Sequence, residues 1–351
     1  MTELRLEALR KDYGDGPALD GLDLTVRSGE LMALLGPSGC GKTTTLRLIA
    51  GLETPDAGAV RLDGRDMAGV EPRRRGMGMV FQRYALFPHM TVAANVAFGL
   101  RVRRLPAAEV DDRVAAMLDV VQLRPLAARY PAQLSGGQMQ RVAIARTLVT
   151  EPAVLMLDEP LANLDTGLRA EMRAFLRGLQ RRLGLTTILV THDQAEAMEM
   201  ADRVAVMLGG RLAQLDAPEG VWARPATRAV AAFMGATNVV PGTLAAPDRL
   251  DTALGPLPVA PRAGLAPGAR VHAVLRAEAL TLHAAPPAGP ALAATVAERA
   301  FHGATASHVL DAGGARLTAT GPAATNHAPG TPVWATIPPD RVWLMTDRSP
   351  E

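Results

Sequence analysis

Apolar and polar residues alternate from Leu4 to Leu9, and alternate again through Leu22, Leu24 and Val26. That period of two predicts a chain that opens with antiparallel strands, the first of them an edge strand. The pattern then changes. Leu31, Leu34 and Leu35 make Glu30 to Leu35 a short buried strand, Thr44 to Ala50 reads as a helix, and Gly51 is its stop. Val60, Leu62 and Gly64 mark a further strand and turn, and Met79-Val80-Phe81 is a short apolar run ending at Gln82. From Val92 to Val121 the period is helical, until Pro125 and Pro131 interrupt it. Helical runs follow at Met139 to Leu148, Leu168 to Leu183 and Ala195 to Met200. Between them lie buried-strand patterns at Val154 to Leu157, Thr187 to Val190 and Val204 to Leu208. Strands alternating with helices predict an α/β fold around a parallel sheet.

Leu215 to Gly235 carries Pro218, Trp222, Pro225 and Phe233 and reads as a connecting segment. Composition shifts after Val240 towards Ala, Pro and Gly. Short alternating runs at 272–282, 291–296, 304–310, 316–320 and 333–337 predict a small all-β domain, with a loop at 284–290. The expected division is 1–238 and 239–351.

Bulk properties narrow the classes. A chain of 351 residues suffices for two domains. A formal net charge of +2 gives no case for nucleic acid as a partner. The single cysteine, Cys40, excludes an internal disulfide and fits a reducing compartment. The opening Met-Thr-Glu-Leu-Arg has no signal-peptide core, and no run has the 18 or so apolar residues of a membrane span. The expectation is a cytosolic protein whose membrane role, if it has one, comes through a partner.

The sharpest chemical signal is Gly36-Pro37-Ser38-Gly39-Cys40-Gly41-Lys42-Thr43, which fits the phosphate-loop pattern G-x-x-x-x-G-K-[ST]. The pattern needs a strand before it and a helix after it, and both are predicted. Glycines let backbone N–H groups turn towards phosphate oxygens at a helix N-terminus. Lys42 would reach the β- and γ-phosphates and Thr43 would bind Mg²⁺. A chance lysine in a Gly-rich turn is the bland alternative. Lysine occurs only at Lys11 and Lys42, while other cations are arginine, which argues against chance. The spacing G-x-G-x-x-G of dinucleotide folds is absent here.

Four other features carry chemistry. Ser135-Gly136-Gly137 before a helix is an anion-binding arrangement; a plain N-cap explains Ser135 but not the two glycines. Asp158-Glu159 ends a buried strand, where one carboxylate can hold Mg²⁺ and its neighbour can orient or deprotonate a water. His192 ends the next buried strand, at the edge where parallel sheets keep their sites, and is read either as structural or as functional. Tyr13, an aromatic among Gly and Asp, either packs or stacks on adenine. Arg73-Arg74-Arg75, and the face carrying Arg101, Arg103 and Arg104, read as solvated. The apolar loop Tyr84 to Met90 reads as a docking surface. His302, His308 and His327 lack metal-ligand spacing and read as surface residues.

Gly36–Thr43, Gln82, Leu134-Ser135-Gly136-Gly137-Gln138, Asp158-Glu159, Asn163–Asp165 and His192 occur in this order. With them the chain resembles the ATP-binding subunit of an ABC transporter, over residues 3 to 240. The tail resembles the accessory β-domain of importers for polyamines, iron, sulfate, phosphonates and maltose-type sugars. Its Arg276-Ala277-Glu278 stands where that domain has Arg-Pro-Glu. The fold implied is an α/β P-loop ATPase domain with an antiparallel β-subdomain and a helical subdomain, plus a small C-terminal all-β, OB-like domain. The cofactors implied are ATP and Mg²⁺.

Residue roles follow from the resemblance. Tyr13 stacks on adenine. Residues 36 to 44, through Thr44, hold the phosphates, and Thr43, Gln82 and Asp158 serve the metal. Glu159 is the general base, and Lys42, Gln82 and His192 complete the catalytic set. Ser135, Gly136, Gly137 and Gln138 contact nucleotide held by a second copy, and Asp165 bridges the dimer. Tyr84–Met90 faces a coupling helix of the permease. The partners implied are a homodimer mate, two transmembrane permease subunits and an extracytoplasmic solute-binding protein. The place implied is the cytoplasmic face of the inner membrane, peripherally. The leading reading is the motor of an importer for polyamine or iron(III). The alternatives are a soluble ABC ATPase acting on ribosomes or DNA, an exporter motor, and a P-loop kinase, which would not need Leu134–Gln138.

Overall fold

The computed structural model describes residues 2–346, which divide into two compact units between Pro218 and Glu219. The first unit opens with strands β1 (Leu4–Asp12) and β2 (Pro17–Val26), antiparallel as their alternation predicts. Strand β3 (Leu31–Leu35) is buried along its whole length and runs into the phosphate loop and helix α1 (Lys42–Ala50). Gly51, at φ 76°, ends that helix in the left-handed conformation that glycine tolerates best. Strands β4 (Ala57–Leu62) and β5 (Arg65–Asp66) complete a four-stranded sheet ordered β2-β1-β4-β5. Strand β1 is therefore interior, not the expected edge. Its other side pairs with β4, which the local pattern of β1 does not encode.

Strand β6 (Met77–Val80) precedes a helical layer of α2 (Val92–Val102), α3 (Ala107–Val120) and α4 (Gly136–Leu148). The expected continuous helix from Val92 to Val121 is two helices, divided at Pro106, the N-cap of α3. Their common core is Val92, Val96, Leu100, Val114, Leu118 and Val142. Then come β7 (Val154–Asp158), α5 (Thr166–Leu183), β8 (Thr186–Thr191), α6 (Gln194–Met200), β9 (Arg203–Leu208) and β10 (Arg211–Asp216). The central sheet is ordered β10-β9-β3-β8-β7-β6. All its pairs are parallel except β10 with β9. The C-terminal ends of β3, β7 and β8 thus lie side by side, carrying the phosphate loop, Asp158-Glu159 and His192.

Arg75 departs from the expected solvated run. It is buried, and its guanidinium donates to the carbonyls of Leu48 and Ile49 at 2.9 and 3.0 Å and of Val70 at 2.9 Å. It satisfies the open end of α1. Desolvation holds its pKa below the ordinary arginine value.

The segment from Leu215 to Gly235, expected as a plain connection, carries helices α7 (Pro218–Ala223) and α8 (Arg228–Phe233). Strands β11 (Asn238–Ala246), β12 (Arg249–Thr252), β13 (Gly255–Pro258), β14 (Arg270–Leu275), β15 (Thr281–His283), β16 (Leu292–Phe301), β17 (Thr305–Ala312), β18 (Ala315–Pro322), β19 (Pro332–Thr336) and β20 (Val342–Thr346) follow. They make two five-stranded antiparallel sheets, β13-β12-β11-β14-β20 and β15-β19-β16-β17-β18, around one apolar core. The contact boundary falls twenty residues before the expected 238/239 because α8 packs onto this unit: Ala231 is buried with Val274 and Met345. Arg276 adds hydrogen bonds to the carbonyls of Met234 and Trp222 at 2.7 and 2.6 Å.

His308 and His327 also depart from expectation. They are 2% and 8% exposed, not surface residues, and their rings meet edge-on with centroids 5.9 Å apart. His308 shares the buried face of β17 with Ala306, Leu310 and Ala312. His302 is exposed as expected and bonds Ser307.

Candidate functional site

The phosphate loop is built by close approach. Gly41 has φ 97°, and a Cβ there would lie 2.4 Å from the Ala18 carbonyl oxygen, so only glycine fits. Pro37, Ser38 and Gly39 are exposed, while Gly36, Cys40 and Gly41 are buried beneath them. Lys42 is only 6% exposed. Its Nζ donates to the carbonyls of Gly36 and Pro37 at 2.7 and 2.9 Å, with the Cys40 Sγ at 3.7 Å. Among the described residues no carboxylate lies within ion-pair distance of it. A buried cation whose only partners are neutral is costly, and the site is poised for an anion.

Thr43 is exposed at the start of α1, and its Oγ1 is 3.4 Å from Asp158 Oδ1. Burial first, then the neighbouring Glu159 charge, pushes the Asp158 carboxyl above its ordinary pKa, against the opposing pull of Thr43, Arg47 and Lys42. A hydroxyl beside a carboxylate short of counter-charge is a hard-cation donor pair. With one carboxylate in it, the pair suits an ion that keeps most of its own waters. Larger clusters of three or more His, Cys, Asp or Glu side chains placed to hold a metal are absent among the described residues.

Glu159 adopts φ 44°, a left-handed conformation uncommon outside glycine and often found at functional sites. Its N–H donates to the Val190 carbonyl at 3.0 Å, which ties it to β8. One carboxylate oxygen lies 3.1 Å from His192 Nδ1, and the other accepts from Gln82 Nε2 at 3.3 Å. An ionised Glu159 makes Nδ1 the donor and leaves Nε2 of a neutral ring as an acceptor. Gln82 is held in turn by Asn163, whose Nδ2 donates to its carbonyl at 2.7 Å. The structure thus gathers Lys42, Thr43, Gln82, Asp158, Glu159 and His192 at one sheet edge.

Tyr13 stands apart from that cluster but beside α1. Its hydroxyl bonds Glu53, Lys11 Nζ lies 5.6 Å from the ring centre, and the residue is 54% exposed. An exposed, tethered ring is available to a planar ligand.

Ser135 caps α4. Its Oγ accepts from the Gln138 N–H at 3.4 Å, and its own N–H donates to Gln138 Oε1 at 3.0 Å. A Cβ on Gly137 would come within 2.9 Å of Leu168, so that glycine also has a packing reason. Asp165 caps α5, accepting from the Leu168 N–H at 3.0 Å. Among the described residues no hydrogen bond joins Ser135, Gly136, Gly137, Gln138 or Asp165 to the Lys42 cluster within one chain.

Two supporting residues were not read from the sequence. Arg146 donates to the carbonyls of Ala85 and Tyr84 at 2.7 and 3.1 Å, pinning two consecutive left-handed residues after Gln82. The buried amide of Asn95 donates to the carbonyls of Phe87, Met90 and Thr91 and accepts from the Phe87 N–H. It templates the 84–90 loop. An Asn inside an apolar helical stripe was the available signal.

Comparison with known proteins fits this geometry. A family described as ABC transporter matches residues 19–162, and one described as TOBE domain matches 273–345. The spermidine/putrescine import ATP-binding protein PotA of Methylococcus capsulatus is 50% identical over 319 residues, 89% of this chain and 83% of that one. The chain belongs to the ABC transporter family. Another ABC transporter relative, the sn-glycerol-3-phosphate import ATP-binding protein UgpC 1 of Rhizobium johnstonii, is 47% identical over 84% of this chain and 81% of that one. A solved Clostridium perfringens protein, part of the ABC transporter complex cbiONQ, superposes with a TM-score of 0.59 at 36% identity. It covers 63% of this chain and 90% of its own. The fold is the ABC ATPase with a C-terminal β domain, and the chain is an ATPase. No helix among the described residues is long and apolar enough to cross a membrane.

Proposed function

We propose that this chain is the motor subunit of an ABC importer for spermidine or putrescine. It works as a homodimer on the cytoplasmic face of the inner membrane, with two permease subunits and an extracytoplasmic binding protein. The observation that carries the reading is a buried Lys42 without a carboxylate in ion-pair distance among the described residues, at the sheet edge where Glu159 is held between His192 and Gln82. The relatives named as spermidine/putrescine import proteins support the solute class.

In this mechanism the loop amides of residues 36 to 44 and the Lys42 ammonium hold the triphosphate, and Tyr13 stacks on its base. Thr43, Asp158 and Gln82 would hold Mg²⁺, which supplies charge neutralisation on the phosphate oxygens. Glu159 orients and deprotonates the attacking water. His192 donates to Glu159 through Nδ1, and a doubly protonated ring would also donate through Nε2 to the γ-phosphate. Gln82 steadies the second carboxylate oxygen and leads into the 84–90 loop, which meets the permease. Ser135, Gly136, Gly137 and Gln138 close over ATP held by the second copy, and Asp165 lies at that seam. Ser135, held in a capping box, is exposed at the N-terminus of α4, which supports this use.

The test is uptake of labelled spermidine by cells carrying the subunit with its membrane partners. Lys42→Ala is expected to abolish uptake and ATP hydrolysis together. Unchanged uptake would overturn the reading. Uptake of another solute class, with spermidine excluded, would overturn the solute alone.

A further inference from the structure

Two glutamates are buried among the described residues, Glu30 at 7% exposure and Glu196 at 4%. Glu30 has Arg203 at 3.4 Å. Among the described residues Glu196 has no cation within ion-pair distance, although burying a carboxyl without one is unfavourable. What it has is Thr191, whose Oγ1 donates to its Oε2 at 2.6 Å. The same hydroxyl oxygen accepts from the Asp193 N–H at 3.0 Å. The two bonds form a relay from Asp193 N–H through Thr191 Oγ1–H to Glu196, spanning the residues on either side of His192.

Helix α6 does not need Glu196 for its start. Asp193 Oδ1 already accepts from the Ala195 and Glu196 N–H groups at 2.8 and 3.3 Å. Nor does packing hold the imidazole, whose side chain is 58% exposed. Its inner side faces a cavity of about 60 Å³, bounded by Glu159, Ala162, Arg169, Thr191 and Glu196. That is room for more than one water molecule. With a solvent-facing outer side and a cavity behind, the ring direction is left to its backbone and to one bond with Glu159.

We propose that Glu196 is a positioning residue for His192, fixing through Thr191 the turn that presents the imidazole to Glu159. The inference rests on the reading that His192 serves hydrolysis. The carboxyl contributes an acceptor to this turn, and the carbonyl of a glutamine can replace it.

The test is steady-state ATP hydrolysis by the full chain for Glu196→Ala, Glu196→Gln, Thr191→Val, His192→Ala and the double variant His192→Ala/Glu196→Ala. Glu196→Ala is expected to lower kcat about tenfold, as a small misplacement of a reacting group does, with KM for ATP within about twofold. Glu196→Gln restores most of that loss, and Thr191→Val, which breaks the relay at its other member, reproduces it. In the His192→Ala background, Glu196→Ala changes kcat by less than about twofold, because its effect passes through the absent ring. A parental kcat in His192→Ala would remove the reading of His192 itself. A loss from Glu196→Ala that persists undiminished without His192, or a glutamine that fails to restore it, would overturn the positioning role. If Glu196→Ala does not fold, Thr191→Val alone and with His192→Ala gives the same comparison.

Discussion

His192 Nδ1 lies 3.1 Å from Glu159 Oε1, and the two residues follow neighbouring parallel strands, β8 and β7. The register of that pair sets their meeting: Asp158 stands opposite Val190, so Glu159, one residue on, and His192, two residues on, leave their strands at the same edge. The dyad is a product of sheet topology. Its members are 33 positions apart in the chain.

The composite site gives the first prediction. Within one chain the Ser135 hydroxyl bonds only Gln138 among the described residues and makes no bond to the Lys42 cluster. In a Glu159→Gln background, dimerisation is expected to depend on ATP. Adding Ser135→Arg should abolish that dimer while monomer ATP affinity stays within about threefold, since the serine serves the other copy's nucleotide. Sedimentation velocity with and without ATP, beside a nucleotide titration, decides it. A dimer that persists, or monomer binding that is lost, reduces the motif to a helix cap.

Arg75 gives a stability prediction. Three carbonyls, two of them at the end of α1, accept from its buried guanidinium. Arg75→Met takes this donor from the Ile49 and Val70 carbonyls, while Leu48 keeps the Gly51 N–H, and should cost about 2–3 kcal/mol in urea unfolding. Arg75→Lys should recover little, because a single ammonium cannot reproduce the fork. A loss below about 0.5 kcal/mol would show that water replaces the guanidinium.

What was legible in the sequence follows from how local each feature is. The phosphate loop is a contiguous pattern between a strand and a helix, so Gly36 to Thr43 could be read outright. Asp158-Glu159 and His192 could be placed because buried strands precede them. The role of Arg75 was not legible, since its partners at Leu48, Ile49 and Val70 come from other turns of the chain. His308 and His327 were misjudged for a related reason: their burial arises from sheet pairing and a loop folding back, neither of which leaves a local period. The strands β12 and β13 escaped because each is four residues long, too short for a clear period, and the Gly and Pro of β13 look like loop.

The histidine pair carries a pH prediction. Burial first, then His327 and Arg299, holds the His308 pKa below the ordinary imidazole value. A depressed folded-state pKa means that the neutral ring stabilises the fold above about pH 6.5, the unfolded value, and that this contribution is lost as pH falls through the folded value. The melting temperature of the parent should therefore drop between pH 7.5 and 5.5. His308→Leu should flatten that drop by about 2 °C or more. An identical pH dependence in the two proteins would contradict the assignment.

The central claim is that Glu159 activates water for hydrolysis of ATP bound at Lys42. Glu159→Gln keeps size and shape and removes the base. The most direct measurement is ATP turnover by this variant beside its equilibrium affinity for ATP. The account predicts a turnover lower by a factor of about 10² or more with affinity within about threefold. Near-parental turnover by a folded, ATP-binding Glu159→Gln protein would contradict it.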